Sequence, residues 1–220
     1  MAMKGTGTTE PRRIDETDGG IGWLAYPEEG MERASHALAT DAGVLLVDPV
    51  DADGVETLYD EYGEVGGVAV LLDRHSRDAT AFADRHDVSV YAPSWMDIDG
   101  KLDRSAEPLD EFLADTAYDC LELRNSSFWA EAVLTDGETL VVPEALGTAA
   151  YFCAGTEPIG VHPMLRLFPP RSLRQHDVEQ VRVGHGAGID TNTTTAIRDA
   201  IDNARRRLPK AYLGALRDLV

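Results

Sequence analysis

Polar side chains that can bind ligands or carry out acid–base chemistry occur at four places in the sequence, and each place directly follows a short apolar run. The four segments are residues 73–78 (DRHSRD), 124–127 (RNSS), 143–144 (PE) and 184–186 (GHG). Because open α/β sheets build their sites beyond the carboxyl ends of strands, polar residues at such positions are candidates for binding or catalysis. The sequence has neither a glycine-rich phosphate loop nor a serine nucleophile elbow, so we expect chemistry at these four segments.

The hydrophobic pattern predicts the elements that position these segments. In its first half, strands alternate with helices, which indicates parallel crossovers. After residue 100 the pattern is typical of antiparallel strands. In chain order, the predicted elements are a hairpin (34–47), a helix (53–62), a strand (68–72), a helix (76–85), strands (88–92, 121–123, 128–134, 139–142, 181–183) and a closing helix (193–208), with Pro209 before a last short helix.

The order of these features resembles the metallo-β-lactamase superfamily over residues 20–205. The resemblance rests on the hairpin end Val47-Asp48-Pro49, the strand-loop-helix at 68–85, DGETLVVPEAL (136–146), and VGHGAGI (183–189) before the final helix. It implies an α/β fold of four layers, an αββα sandwich, with a dinuclear metal site, usually zinc, along one edge. In such a site, divalent ions held by imidazoles and carboxylates lower the pKa of a bound water to about 7.

The metal-ligand motif of the family is only partly kept in this chain. The positions of its His-x-His-x-Asp-His loop are occupied here by Asp73, His75, Arg77 and Asp78. The positions of its three later ligands are occupied by Asn125 or Ser126 (a histidine), Glu144 (the bridging aspartate) and His185 (the final histidine). The resemblance therefore leaves four candidate metal ligands, which are His75, Asp78, Glu144 and His185.

Arg77 decides how this motif is interpreted. A guanidinium stays protonated at ordinary pH, and placing it a few ångströms from a metal ion is strongly unfavourable. We therefore expect Arg77 to fill the volume of a metal ion and to form ion pairs with Asp73, Asp78 or Glu144. The prediction is a metallo-β-lactamase-like protein that lacks the dinuclear centre.

Two functions fit such a degenerate motif. In the first, the site uses no metal and binds a small anionic ligand or a partner. In the alternative, one zinc ion is held by His75, His185 and either Glu144 or Asp78, and the protein is a metal-dependent hydrolase of an ester or phosphoester. Three protein ligands with an open fourth position are enough for catalytic zinc. A purely structural subunit is a third hypothesis.

The segment 161–174 is unusual because it is basic in an acidic chain. It contains His162, Arg166, Arg171 and Arg174 and no acidic residue. The functional interpretation is a loop over the site whose guanidinium groups bind a carboxylate or phosphate. The alternative is a loop that packs its apolar residues on the core while its arginines pair with acidic surface groups.

Composition and charge narrow the class of protein. The formal net charge is −19, with 39 acidic residues against 20 basic ones, which argues against nucleic acid as a partner. Lysine occurs only at Lys4, Lys101 and Lys210, and this acidic, arginine-containing composition resembles that of proteins from salt-loving archaea. The sequence has no apolar run of about eighteen residues and no signal peptide, so we expect a cytoplasmic protein without a membrane partner.

The remaining expectations concern domain organisation. Residues 1–19 are predicted to be a loose leader, and residues 20–220 are predicted to form a single domain. Cys120 and Cys153 lack a metal or redox spacing, so both are expected to be reduced thiols. The sequence leaves the oligomeric state open.

Overall fold

The computed structural model of the protein describes residues 3–5, 7, 9–98 and 100–218. Within these residues, the first sheet contains seven strands, and they pair in sequence order: β1 (Arg12–Thr17), β2 (Gly20–Leu24), β3 (Ala34–Thr40), β4 (Gly43–Val47), β5 (Val65–Ala69), β6 (Val90–Ala92) and β7 (Glu107–Pro108). The pairs from β1 to β4 are antiparallel, and those from β4 to β7 are parallel. The parallel pairs agree with the crossovers predicted from the sequence.

The remaining described strands are β8 (Asp119–Ser126), β9 (Trp129–Thr135), β10 (Thr139–Val142), β11 (Leu146–Gly147), β12 (Gly160–Val161) and β13 (Gln180–Val183). Four of them form the second sheet in the order β13-β10-β9-β8, and β11 and β12 form a separate pair. Pairing is antiparallel except between β10 and β13, which are parallel. The carboxyl ends of β10 and β13 therefore lie at the same edge, and Glu144 and His185 follow them.

Three apolar cores separate the four layers of the molecule. One contains Tyr59 and Phe82 from the helices beside the first sheet, one lies between the sheets with Leu45 and Leu134, and one lies under the last helix with Ile197. Because both faces of the first sheet are covered, its central strands are continuous apolar runs. The helices are α1 (Glu56–Tyr59), α2 (Ala79–His86), α3 (Leu109–Leu113) and α4 (Thr193–Asp218), with 3₁₀ helices at Asp60–Tyr62, Pro163–Leu165 and Arg171–Gln175.

Two sequence predictions are wrong at the ends of the chain. The predicted leader 1–19 contains β1, an edge strand paired antiparallel with β2. Edge strands are often marked by charge instead of apolar alternation, and Arg12 and Arg13 are exposed there. Pro209 does not end the closing helix, since α4 continues through it. No helix among the described residues is long and apolar enough to cross a bilayer.

Candidate functional site

His75 is held by a carboxylate from the neighbouring strand. Asp48 directly follows β4, and its Oδ2 lies 2.8 Å from His75 Nδ1, while its Oδ1 accepts a hydrogen bond of 3.0 Å from Leu71 N. An ionised carboxylate is only an acceptor, so the ring proton is on Nδ1 and, in the neutral ring, Nε2 carries a lone pair. The hydrogen bond to Asp48 therefore fixes both the orientation and the tautomer of the His75 ring.

His185 is held in a similar way by a backbone carbonyl. Its Nδ1 donates a hydrogen bond of 2.8 Å to Met31 O, and its Nε2 is buried without a hydrogen-bond partner among the described residues. Burial and the nearby positive charge of Arg77 lower the pKa of His185 well below its usual value, so the ring is neutral. Gly186 follows at a φ of 90°, where a side chain would also collide with Thr148.

Glu144 lies between three histidines. Its carboxylate is 3.5 Å from His75 Nε2 and 3.4 Å from His162 Nε2, and its backbone N–H donates to Glu131 Oε1 at 2.8 Å. Burial acts to raise the pKa of Glu144, but its histidine neighbours lower it, and the net shift is well below the usual value. Glu144 is therefore a carboxylate at ordinary pH.

The fold brings three of the four candidate metal ligands together. One nitrogen of His75, one nitrogen of His185 and one carboxylate oxygen of Glu144 all lie within 4.8 Å of one another, and all three residues are buried. We call this group the His-Glu-His cluster. The fourth candidate, Asp78, lies at the start of α2 outside the cluster, and its Oδ2 accepts a hydrogen bond of 2.8 Å from Asp51 N.

Arg77 contacts the cluster but does not form the predicted ion pairs. Its guanidinium donates to three carbonyl oxygens, Ala34 O at 2.6 Å, Asp48 O at 2.8 Å and Gly184 O at 3.1 Å. Its Nη2 lies 3.4 Å from His75 Nε2. The predicted carboxylate partners do not contact the Arg77 guanidinium, because carbonyl groups at the strand ends occupy the positions around it. Among the described residues, no carboxylate oxygen lies within 4 Å of it, and its buried Nε has no partner.

The other positions of the family motif do not converge on the cluster. Asp73 pairs with Lys101 at 3.0 Å, and Asn125 is exposed on β8, where it contacts Glu122 at 3.3 Å. Ser126 Oγ bonds to the backbone of Trp129. Asp73, Asn125 and Ser126 therefore add no ligand to the cluster, whereas the donors of the His-Glu-His cluster fit a single divalent ion.

The arginines of segment 161–174 are not directed at the site. Arg166, predicted as a ligand-binding residue, is fully buried and pairs with Glu157 at 2.7 Å, so its guanidinium is not available to a ligand. Arg174 pairs with Asp202 at 3.0 Å, and Arg171 is exposed on a 3₁₀ helix. The packing alternative describes Arg166 and Arg174 better, because acidic groups pair with both of them.

His162 is the residue of this segment that does reach the cluster. Its Nδ1 accepts a hydrogen bond of 3.2 Å from Met164 N, so in the neutral ring Nε2 carries the proton, and it lies 3.4 Å from Glu144 Oε1. Its ring also packs against Trp129, with the centroids 5.1 Å apart. Burial lowers the pKa of His162 to about 4, partly opposed by the charge of Glu144.

Three residues of the site were not predicted from the sequence. Asp48 orients His75, and Arg74 covers the cluster by pairing with Glu144 at 3.4 Å and stacking on Trp129 at 4.2 Å. Glu131 is a fully buried carboxyl group that accepts hydrogen bonds from the backbone of Glu144 and from Trp129, and burial raises its pKa to about 7. The sequence did contain one indication of Glu131, because it is a charged residue within the apolar run 128–134.

Comparison with known proteins identifies the fold. No protein-family profile matches the chain, and no curated protein is significantly similar in sequence. Solved structures do match: a metallo-β-lactamase from Pontibacter korlensis has a TM-score of 0.60 at 11% identity and covers 88% of this chain and 100% of its own. An NDM_FIM-1-like metallo-β-lactamase from Erythrobacter litoralis, in a mono-zinc form, has a TM-score of 0.58 at 12% identity, with 91% and 99% covered.

A protein of a different name shares the same architecture. A fragment of diflavin flavoprotein A 5 from Nostoc sp. PCC 7120 has a TM-score of 0.58 at 13% identity and covers 90% of this chain and 98% of its own. Identities this low show the fold and not the activity. The chain therefore has the metallo-β-lactamase fold, which confirms the fold class predicted from the sequence.

Proposed function

We propose that this protein uses the metallo-β-lactamase fold without a dinuclear metal centre and binds a small anionic molecule beside the His-Glu-His cluster. The observation that supports this proposal is Arg77, a fixed cation next to His75 with no carboxylate partner within 4 Å among the described residues. A buried guanidinium whose charge is not paired is a favourable site for a carboxylate or a phosphate.

The charges around the cluster support the same proposal. Arg74 pairs with the Glu144 carboxylate at 3.4 Å, and the guanidinium of Arg77 adds a second positive charge 3.4 Å from His75 Nε2. Two divalent ions would add four positive charges at short range. At an effective dielectric constant of 20, two unit charges 4 Å apart interact by about 4 kcal/mol, so this repulsion would be large.

Thermal unfolding in different anions at equal ionic strength tests the proposal. At a hundredfold excess over the dissociation constant, a ligand adds about 2.7 kcal/mol, which corresponds to a rise in Tm of roughly 5–10 °C for a chain of this size. Acetate or phosphate should raise Tm above its value in chloride, and Arg77→Lys should remove that difference. Arg171→Gln, which removes an exposed charge elsewhere, should keep it.

Equal melting temperatures in all three anions would contradict the proposal. So would an anion preference that survives Arg77→Lys. The difference between anions is compared within each variant, so a loss of stability caused by the substitution itself does not affect the result.

One observation favours a second candidate function, a hydrolase that uses one metal ion. His185 Nε2 is buried without a partner, and it faces the same small volume as His75 Nε2 and Glu144. These three residues would hold the ion, which would supply an acidified water for attack on an ester or phosphoester. Asp48 and Met31 O would keep both imidazoles in the tautomer that a metal requires.

Metal content distinguishes the two candidates. Protein treated with a chelator, incubated with zinc and dialysed is expected to retain far less than one equivalent. Retention of one equivalent in the natural protein, lost in both Glu144→Gln and His185→Ala, would establish the single-metal site instead. Asp78→Asn is the matched control, because Asp78 lies outside the cluster.

A further inference from the structure

Large apolar side chains are exposed on two loops beside the cluster. Phe128 is 64% exposed, Met164 51%, Leu167 51% and Phe168 69%. Among the described residues, they are four of the six large apolar side chains that are exposed. We call these four residues the apolar rim. With side chains of this size the rim exposes on the order of 400 Å², within the range of patches that are often functional.

Direct contacts join the two loops of the rim to each other and to the site. The ring of Trp129, next to Phe128, packs on His162, two residues before Met164. Arg74 donates a hydrogen bond of 3.1 Å to Phe128 O and also pairs with Glu144. Arg74 therefore links the apolar rim to the His-Glu-His cluster.

Three arginines touch the rim. Arg74 bonds to the carbonyl of Phe128, Arg124 donates to Phe168 O at 2.9 Å, and Arg205 donates to Leu167 O at 2.7 Å. The Arg205 guanidinium also lies 5.8 Å from the centre of the Phe168 ring. In a chain with a net charge of −19, a face that combines apolar rings with guanidinium groups selects for anionic, apolar molecules.

We infer that the bound anion is an apolar carboxylate whose acyl or aryl arm lies on the apolar rim and whose head lies at Arg74 and Arg77. This inference rests on the proposed anion site and specifies its ligand class. A carboxylate fits the head position better than a phosphate dianion, because Glu144 is close to Arg74 and repels a second negative charge. The partly exposed guanidinium of Arg74 can donate hydrogen bonds to the carboxylate head, and Arg77, whose Nη groups already donate to carbonyls, contributes its positive charge.

Calorimetric titration with acetate, butanoate, hexanoate and octanoate, each below its micellar concentration, tests the inference. A methylene group that is half removed from water on an open surface improves affinity about twofold, so octanoate should bind more than tenfold more tightly than butanoate. The variant Phe128→Ser/Phe168→Ser should flatten this chain-length dependence and leave the response to acetate intact. Both side chains are mostly exposed, so the fold should tolerate the change.

Two controls define the result. Leu121→Ser removes an exposed apolar side chain outside the rim and should leave the chain-length dependence unchanged. Octylamine should bind much more weakly than octanoate, because its ammonium head is positively charged and is repelled by the arginines. Equal binding of octylamine and octanoate, or a chain-length dependence that survives the double substitution, would overturn the inference.

The same titrations separate this inference from the proposed anion site. If acetate binds but longer carboxylates bind no better, the inference fails and the anion site stands. If longer carboxylates bind increasingly well and Arg77→Lys has no effect on any of them, the anion site fails. The affinity could also be the same for all chain lengths while the natural protein self-associates or binds phosphatidylglycerol vesicles. If the double variant then abolishes the self-association, the rim binds a second copy of the chain. If it abolishes the vesicle binding, the rim binds a membrane surface.

Discussion

Replacing Asp48 with asparagine is expected to move the ring proton of His75 from Nδ1 to Nε2. In the natural protein, Oδ1 of Asp48 accepts from Leu71 N at 3.0 Å and Oδ2 accepts from His75 Nδ1 at 2.8 Å. An asparagine side chain has one carbonyl acceptor and one donor group. Since the Leu71 amide is always a donor, the asparagine oxygen should face Leu71, and its NH₂ group should donate to an unprotonated His75 Nδ1.

The change in stability follows from the same contacts. A hydrogen bond to a charged group contributes about 1.5–3 kcal/mol, whereas a neutral one contributes about 1 kcal/mol. The relocated proton on Nε2 would also face Arg77 Nη2, which lies 3.4 Å away and is itself a donor. We therefore expect the free energy of unfolding to fall by about 1–3 kcal/mol. Asp51→Asn, which weakens an exposed pair with Arg85, is the control and should cost about 1 kcal/mol or less.

Two measurements check this prediction. Nitrogen-15 NMR of the histidine rings reports which nitrogen carries the proton, and urea unfolding gives the change in free energy. If His75 keeps its proton on Nδ1 in Asp48→Asn, or if the variant is as stable as Asp51→Asn, then Asp48 does not set the tautomer. The single-metal candidate would then lose one of its premises, a His75 Nε2 that is free to bind the ion.

Three further predictions concern stability. Folding lowers the pKa of His162 from 6.5 to about 4, so the unfolded chain binds more protons between these pH values. The contribution of His162 to the free energy of unfolding is therefore full above pH 6.5 and is lost as the pH falls toward 4. In urea unfolding, the decrease in free energy between pH 6.5 and pH 4 should be smaller in His162→Gln than in the natural protein, by up to about 3 kcal/mol. Arg166→Met should lower the free energy of unfolding by about 3 kcal/mol, because it leaves the buried Glu157 with Arg207 as its remaining ion-pair partner; a loss below about 1 kcal/mol would contradict this reasoning. The thermal unfolding midpoint should rise with KCl concentration, because salt screens the repulsion within a chain of net charge −19, and equal midpoints in dilute and molar KCl would refute the halophilic interpretation.

The sequence predicted the site where it depends on strand ends. His75, Glu144 and His185 each follow a buried strand. Parallel pairing of β10 with β13 places Glu144 and His185 at one edge of the second sheet, and His75 reaches them from the first sheet. Asp78 is separated from the cluster because it follows the turn that contains Arg77 and lies at the start of α2. A few residues past a strand end, the direction of the backbone decides whether a side chain points toward the cluster. The sequence pattern does not define that direction.

Buried charge was the main feature that the sequence could not predict. Arg166 looked like a surface residue because its neighbours in sequence are basic or apolar, but its partner Glu157 lies nine residues earlier and Arg207 on α4 completes the pairing. Likewise, the exposed charges of β1 concealed a strand. In both cases, a contact made only in the folded structure decided the outcome, and the local sequence pattern gave no sign of it.

Arg77 also has a mechanical consequence for the molecule. Its guanidinium ties the carbonyls of Ala34 and Asp48, from the first sheet, to that of Gly184, which follows the second. In a protein with bound metal, the ion cross-links such loops, and a chelator releases them. Here the cross-link belongs to the polypeptide itself, so this edge of the sandwich should keep its hydrogen-exchange protection in a chelator.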